Sequence, residues 1–149
     1  MIKLYHCRAA RSFRALWTLE EMGLSYEAVM LPFPPRVHAK AYLAENPLGT
    51  VPLFVDNEVR MTESSGICLY LTQRYGPTPL AIAQDEADYP RFLNWLFFSD
   101  ATLTFPQTLV LRYRFFEPIE RRNETVAADY EKWFFGRLRT LESVLQNRE

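Results

Sequence analysis

The segment Asn46-Pro47-Leu48-Gly49-Thr50-Val51-Pro52 constrains the fold of this chain more than any other segment. It places a β-branched residue directly before a proline, where a turn leads into a strand. The residue before a proline is pushed toward extended geometry, and proline cannot donate a ladder hydrogen bond. A cis Val51–Pro52 bond would leave the Val51 amide and carbonyl open to an extended peptide. The alternative is an ordinary proline at the first position of an edge strand, which this segment taken alone favours.

The composition is that of a globular protein without a strong charge bias. Of the 149 residues, 48% are hydrophobic and 15% aromatic, which is enough to build a packed core. The net charge of −1 gives no electrostatic footprint for nucleic acid or anionic lipid. The sequence has no apolar run of membrane-spanning length, and its start lacks the pattern of a secretory signal. We expect a soluble, cytoplasmic protein that binds neither nucleic acid nor membrane.

Apolar periodicity and turn residues predict a β-α-β-α-β-β-α order in the first 75 residues. Ser12 and Thr62 are predicted to cap helices, and Asp56-Asn57 is predicted to be a two-residue hairpin loop. The predicted strands cover 2–5, 26–31, 52–55 and 58–61, and the predicted helices cover 12–22, 37–44 and 62–75.

After Pro77-Thr78-Pro79 only helical patterns occur, over 86–116 and 120–146. We therefore predict two domains, residues 1–77 and 84–149, with a kink at Pro106 in the first long helix. Two helices alone cannot enclose a bundle core. The second helix carries apolar residues that need cover, namely Trp133, Phe134, Leu138, Leu141, Val144 and Leu145.

Taken together, these features resemble the cytosolic glutathione transferases (glutathione S-transferases) of bacterial type. The resemblance lies in the element order, the 46–52 segment, Glu63-Ser64 at a helix start and the all-helical tail. Residues 11–24 also resemble the first helix of many bacterial members. The resemblance implies an α/β fold: a thioredoxin-like N-terminal domain that binds glutathione, followed by an all-α, partial C-terminal helical domain that lines the second substrate's pocket.

The resemblance also implies a set of glutathione-binding residues. It implies a cis Val51–Pro52 bond, with Val51 pairing through its backbone with the cysteinyl unit. Glu63 would bind the γ-glutamyl ammonium, and Ser64 would bind its carboxylate with help from the positive end of the helix dipole. A plain acidic first turn is the alternative for this pair. Arg11 and Lys40 are candidates for the glycyl carboxylate, with a solvated surface role as the alternative.

The thiol-activating position of the family falls on Ala9 or Ala10, and neither side chain can donate a hydrogen bond. Three nearby residues are the catalytic candidates in their place: Ser12, Tyr5 and Cys7. Each has a structural alternative, which is a helix cap for Ser12, a core aromatic for Tyr5 and a buried, inert thiol for Cys7. The Cys7 hypothesis requires an exposed thiol with a lowered pKa.

The leading functional prediction is a detoxifying enzyme that adds the glutathione thiolate to a small hydrophobic electrophile, with glutathione as co-substrate. Four aromatic residues would line the apolar pocket: Trp95, Phe98, Phe105 and Tyr113. The alternatives are a non-catalytic protein that binds glutathione or a hydrophobic ligand, and a glutathione-dependent thiol reductase that uses Cys7. His6 and His38 lack ligand spacing, so no metal site is predicted.

Relatives of this family carry further helices beyond the position of Glu149. Either the chain is a fragment, or a partner covers its apolar helices. By analogy with the family, we predict a homodimer.

Overall fold

The chain folds into two compact units, one over Met1–Gln84 and one that begins at Asp85. The fold is taken from a computed structural model and is described for residues 1–146. The first unit is a four-stranded sheet with helices, and the second unit is helical.

The sheet of the first unit has the strand order β2-β1-β3-β4. β1 runs parallel to β2 and antiparallel to β3, and β3 pairs with β4 in an antiparallel hairpin. This is the predicted thioredoxin-like arrangement. Its elements are β1 (Ile2–His6), α1 (Ser12–Glu21), β2 (Tyr26–Met30), α2 (Pro35–His38), a 3₁₀ helix (Lys40–Ala44), β3 (Leu53–Asp56), β4 (Val59–Met61) and α3 (Ser64–Arg74).

The core of this unit consists mainly of apolar residues spaced two apart in β1 and four apart in α1 and α3. Apolar residues alternate along β1, and each of α1 and α3 buries a pair spaced four apart. Such spacing places both members of a pair on one helix face, so that α1 and α3 cover the sheet together. The buried core consists of Ile2, Leu4, Ala15, Leu19, Phe54, Ile67 and Leu71.

Two glycines occupy positions that other residues would strain. Gly23 ends α1 with φ +61°, as the sequence predicts. Gly49, in the turn before β3, has φ +60°, and a Cβ there would lie 2.6 Å from the Arg36 Cβ. Gly49 therefore allows the turn to pack against the start of α2.

The predicted helix caps were wrong by one residue. Ser12 is the first residue of α1 and Arg11 occupies the N-cap position. In the same way, Glu63 and not Thr62 occupies the N-cap position of α3, in extended geometry. In both cases the chain turns into the helix one residue away from the predicted cap, and Ser12 uses its hydroxyl for contacts with the end of β1.

Two further predictions in this unit need correction. The hairpin loop is Asn57-Glu58, because Asp56 still pairs with Val59 in the ladder and Asn57 takes φ +53°. The predicted helix over 37–44 is two short helices that are separated at Ala39, where the backbone leaves helical geometry at φ −136° and ψ 62°.

The second unit contains a long helical segment followed by α6. α4 (Tyr89–Phe97) and α5 (Leu103–Leu111) are joined by a π-helical turn (Phe98–Thr102), and a second π turn (Arg112–Phe116) follows. Pro106 lies inside α5, where it removes one helical hydrogen bond. α6 spans Glu124–Leu145, and the predicted start at 120 was wrong because residues Ile119–Arg121 form a separate 3₁₀ turn.

Ion pairs tie the elements of this unit together. Arg114 donates to Glu124 at 2.6 Å and to Glu131 at 3.1 Å, which joins the second π turn to α6. Glu117 is buried and pairs with Arg112 at 2.6 Å. Within residues 1–146, no helix is both long and apolar enough to cross a membrane.

Candidate functional site

The sheet register brings three sequence-predicted segments to one edge of the first unit. Tyr5 pairs with Leu53 and Phe54 pairs with Met61. The end of β1, the start of β3 and the end of β4 therefore lie at the same edge, because β3 is antiparallel to both neighbours. The loop 7–11, the Val51–Pro52 turn and the Glu63–Ser64 helix start continue from these three strand ends.

The Val51–Pro52 peptide bond is cis, as the sequence predicts. Pro52 is buried and Val51 is half-buried. Two side chains hold the carbonyl of the preceding Thr50: the Tyr42 hydroxyl donates to it at 2.7 Å and the Asn46 amide donates to it at 2.9 Å. The backbone approaching the proline is therefore fixed from two directions.

Ser64 begins α3, and its side chain is buried. Its hydroxyl accepts a hydrogen bond from the Arg14 guanidinium at 3.3 Å. The positive end of the helix dipole and a guanidinium thus meet at one hydroxyl, which makes the position suited to a carboxylate. Glu63 is exposed beside it, in the N-cap position.

One helical turn further on, α1 and α3 make a second polar contact. The Thr18 hydroxyl donates to the Cys68 sulfur at 3.2 Å. Arg14 and Thr18 are spaced four apart on α1, as are Ser64 and Cys68 on α3. These two contacts lie one helical turn apart and join the first two turns of α1 to those of α3.

The loop 7–11 contains Ala9 and Ala10, onto which the family resemblance maps the thiol-activating position. Ala9 is exposed and has φ +53°, and Ala10 is half-buried. Neither side chain can donate a hydrogen bond to a sulfur. Arg11, one of the two glycyl-carboxylate candidates, closes the loop and is exposed.

Ser12 and Cys7 are fully buried, with exposed fractions of 0%. The Ser12 hydroxyl oxygen lies 2.8 Å from His6 Nδ1 and accepts from the Cys7 amide at 3.3 Å. The Cys7 sulfur lies 3.7 Å from the Pro32 carbonyl, and burial raises the pKa of its thiol. Burial lowers the pKa of His6. The exposed, acidic thiol that the Cys7 hypothesis requires is therefore not what the structure shows.

Tyr5 and Lys40 complete the predicted set. Tyr5 is half-buried, and its ring packs 5.2 Å from that of Tyr42, between ring centroids. Lys40 is exposed at the first residue of the 3₁₀ helix that carries Tyr42.

Three residues at this edge were missed as site residues: Arg14, Tyr42 and Asn46. Asn46 stands in the 46–52 segment, and its position before Pro47 was a usable signal for a side chain that supports the turn. Arg14 is a cation on the α1 face that α3 covers, but this is visible only once the helices are paired. Tyr42 carries no local signal, because its role depends on a carbonyl eight residues away.

In the second unit, the predicted pocket aromatics fall into separate groups. The rings of Trp95 and Phe98 meet edge to face at 5.1 Å. Phe105 is 53% exposed and packs edge to face on Trp133 of α6. Tyr113 lies under the Arg112 guanidinium at 5.7 Å.

The side chains described here do not gather into a metal-binding group. Among residues 1–146, no set of three or more His, Cys, Asp or Glu side chains is arranged to hold a metal ion.

Comparison with known proteins identifies the family. Residues 4–79 match the sequence profile described as "Glutathione S-transferase, N-terminal domain". The chain is 35% identical over 103 residues to glutathione S-transferase 3 of Schizosaccharomyces pombe, covering 69% of this chain and 43% of that protein. It is 34% identical over 145 residues to glutathione S-transferase hmp2 of Hypomyces subiculosus, covering 91% of this chain and 68% of that protein.

A solved structure supports the assignment. Glutathione transferase URE2P6 from Phanerochaete chrysosporium, in complex with oxidized glutathione, superimposes with a TM-score of 0.84 at 26% identity. The superposition covers 99% of this chain and 69% of that one. The matched region covers less than half the length of the Schizosaccharomyces pombe protein. From the profile match and the extent of these similarities, the chain belongs to the cytosolic glutathione S-transferase superfamily.

Proposed function

We propose that this protein is a glutathione transferase that conjugates the glutathione thiolate to a small hydrophobic electrophile. The observation that carries the proposal is the meeting of the Val51–Pro52 turn and the Glu63–Ser64 helix start at one sheet edge, within the region that matches the family profile. The relative URE2P6 was solved with oxidized glutathione, which supports the same class of ligand here.

The proposed binding mode assigns one part of glutathione to each segment. The Val51 backbone pairs with the cysteinyl unit, beside the buried Pro52. Ser64 and the α3 dipole bind the γ-glutamyl carboxylate, and Glu63 binds the ammonium. Arg11 and Lys40 are both exposed and provide cations for the glycyl carboxylate.

Activation of the thiol is assigned to Tyr5 among the three sequence candidates. Ser12 and Cys7 are fully buried, whereas Tyr5 is partly exposed at the end of β1. A phenol that donates a hydrogen bond to sulfur stabilises the thiolate over the thiol. The rate of conjugation then depends on the fraction of glutathione present as thiolate.

Two measurements test the proposal. Isothermal titration calorimetry with glutathione measures binding, and the absorbance change with 1-chloro-2,4-dinitrobenzene measures conjugation. We expect saturable binding and a conjugation rate above the uncatalysed rate, with a reduced kcat in Tyr5→Phe. Absence of both binding and turnover would exclude the proposal.

The second candidate is a non-catalytic protein that binds glutathione or a hydrophobic ligand. The observation that favours it is that Ala9 and Ala10 offer no side-chain donor at the family's activating position. Glutathione binding measured by calorimetry, without conjugation of the electrophile, would support this second function. A thiol reductase acting through Cys7 is disfavoured, because the Cys7 thiol is fully buried.

We also propose a cytoplasmic homodimer that acts in detoxification. The support is the family analogy and the partly exposed aromatic residues of α6, of which Trp133 is 42% and Phe135 is 54% exposed. Light scattering at micromolar concentration tests the assembly, and a monomer mass would contradict it.

A further inference from the structure

The loop 7–11 connects β1 to α1, and the Ser12 hydroxyl joins its two ends. Ser12, at the start of α1, accepts from the amide of Cys7 at 3.3 Å. The same oxygen lies 2.8 Å from His6 Nδ1 and 3.5 Å from the Cys7 carbonyl. The two ends of the loop are therefore joined through Ser12, inside the protein, where water does not compete.

The His6 end of this connection is itself anchored. His6 pairs with Met30 of β2 in the sheet register, and its carbonyl accepts from the Leu31 amide at 2.8 Å. Ser12 thus ties the start of α1 to a residue that the sheet already holds in place. The loop has little freedom to change its path at either end.

The Ser12 hydroxyl has two acceptors for its one hydrogen. A serine hydroxyl has one hydrogen to donate and lone pairs to accept with. The acceptors are His6 Nδ1 at 2.8 Å and the Cys7 carbonyl at 3.5 Å. We assign the hydrogen to the shorter contact, so that Nδ1 is unprotonated and the ring proton is on Nε2.

The loop needs such support. Ala9 has φ +53°, a region that residues other than glycine adopt only when the surrounding structure enforces it. Ala9 and Ala10 cannot donate through their side chains, so at these two positions only the main chain can act on a neighbouring sulfur.

We infer that the buried His6–Ser12 pair is a positioning device that fixes the main chain of loop 7–11 beside the thiol site. Ser12 acts through the loop and not as a donor to the sulfur of glutathione. The kinetic consequence of this inference rests on the proposed transferase function, whereas the structural consequence does not.

The structural consequence is tested on the protein without ligand. Amide exchange by NMR should show the Cys7 amide losing protection roughly fivefold or more in Ser12→Ala. The matched control is Thr72→Val, which removes a buried hydroxyl bonded to the Leu69 carbonyl in the same unit and should leave Cys7 unchanged. Ring nitrogen shifts should report a proton on His6 Nε2. A proton on Nδ1 would reverse the direction of the His6–Ser12 hydrogen bond, and unchanged Cys7 exchange in Ser12→Ala would overturn the inference.

Substitutions of His6 test whether protection of the Cys7 amide depends on the hydrogen-bonding group of the ring or on its volume alone. His6→Asn places an amide oxygen close to the position of Nδ1, whereas His6→Leu provides no acceptor. We expect Cys7 protection near the wild-type level in His6→Asn and reduced protection in His6→Leu. Equal protection in the two variants would contradict a hydrogen-bonded pair.

The kinetic test separates positioning from direct catalysis. Misplacement of a catalytic segment costs on the order of 10- to 100-fold, so Ser12→Ala should lower kcat by that factor with a smaller effect on KM for glutathione. Ser12→Thr, which keeps the hydroxyl, should restore most of kcat. If Ser12→Ala loses the thiolate absorbance of bound glutathione while Cys7 exchange is unchanged, then Ser12 donates directly to the glutathione sulfur and the inference fails. If wild-type protein does not conjugate glutathione, the proposed function fails while the exchange data still decide the inference.

Discussion

The Tyr42 hydroxyl donates a 2.7 Å hydrogen bond to the carbonyl of Thr50, directly before the Val51–Pro52 turn. The Asn46 amide donates to the same oxygen at 2.9 Å. One carbonyl oxygen thus accepts hydrogen bonds from Tyr42 of the 3₁₀ helix and from Asn46, the first residue of the 46–52 segment. Together they fix the Val51–Pro52 turn of the proposed glutathione site. Burial raises the pKa of Tyr42, so its hydroxyl keeps its proton and remains a donor throughout the physiological range.

The two donors should be coupled energetically. Tyr42→Phe should lower the free energy of unfolding by about 1 kcal/mol, and Asn46→Ala by about 2 kcal/mol because its Oδ1 also accepts from the Leu48 amide. In each single variant one donor remains, so the Thr50 carbonyl still accepts a hydrogen bond. The double variant should therefore cost more than the sum of the single changes. Urea titrations of the four proteins measure this, and simple additivity would contradict a shared acceptor.

Ser64 should contribute to binding of the γ-glutamyl carboxylate. Ser64→Ala should raise the Kd for glutathione by roughly 10- to 100-fold, because a hydrogen bond to a charged group is worth about 1.5–3 kcal/mol. Calorimetry measures the change. Ser65→Ala is the matched control, since Ser65 is a buried serine in the same helical turn. Equal losses in both variants would indicate a general effect on α3.

The carboxylate of Asp56 should make stability depend on pH. The Tyr75 hydroxyl donates to it at 2.6 Å and that of Tyr70 at 2.9 Å, and the hydrogen bond from Tyr75 is the main cause that lowers the pKa of Asp56. The same contact raises the pKa of Tyr75 to about 12. The pKa of Asp56 is lower in the folded than in the unfolded chain, so its stabilising contribution is present above about pH 4 and is lost as pH falls below it.

Asp56→Asn should therefore lower the free energy of unfolding at pH 7 by about 1–3 kcal/mol. The difference from wild type should shrink as the pH approaches 3. Glu58→Gln, in the exposed loop of the same hairpin, serves as the control and should have a small effect at both pH values. A wild-type to Asp56→Asn difference that is constant from pH 7 to pH 3 would refute the linkage.

The two cysteines should differ in reactivity in the native protein. Cys7 is fully buried with a raised pKa, whereas Cys68 is half-buried. Only the thiolate reacts, so Cys7 should be modified by 5,5′-dithiobis(2-nitrobenzoic acid) roughly tenfold or more slowly than Cys68. Cys68→Ser should remove the fast phase, and Cys7→Ser should retain it. A fast phase in Cys68→Ser would revive the thiol reductase hypothesis.

Local patterns in the sequence were sufficient for the order of elements in the first unit. Alternation in β1, the four-residue spacing in α1 and α3, and Gly23 at a helix end are short-range features, and short-range sterics decide them. The cis Val51–Pro52 bond needed the family resemblance as well, because the segment taken alone favours an ordinary proline at a strand start. Element ends were less predictable: Ser12 and Thr62 are good capping residues by type, yet neither occupies an N-cap position.

The roles of individual side chains at the site were decided by tertiary structure. From sequence alone, a helix cap was the favoured role of Ser12 and a donor to sulfur was the second, and the fold turns its hydroxyl inward to His6 and Cys7. Arg14 reaches Ser64 across 50 residues of sequence, which no local pattern encodes. The sequence by itself determined the order of the elements, because this follows from backbone sterics and periodicity, and its family resemblance indicated the segments of the candidate site. Only the tertiary structure decided burial and hydrogen-bond partners, because these depend on which distant elements pack together.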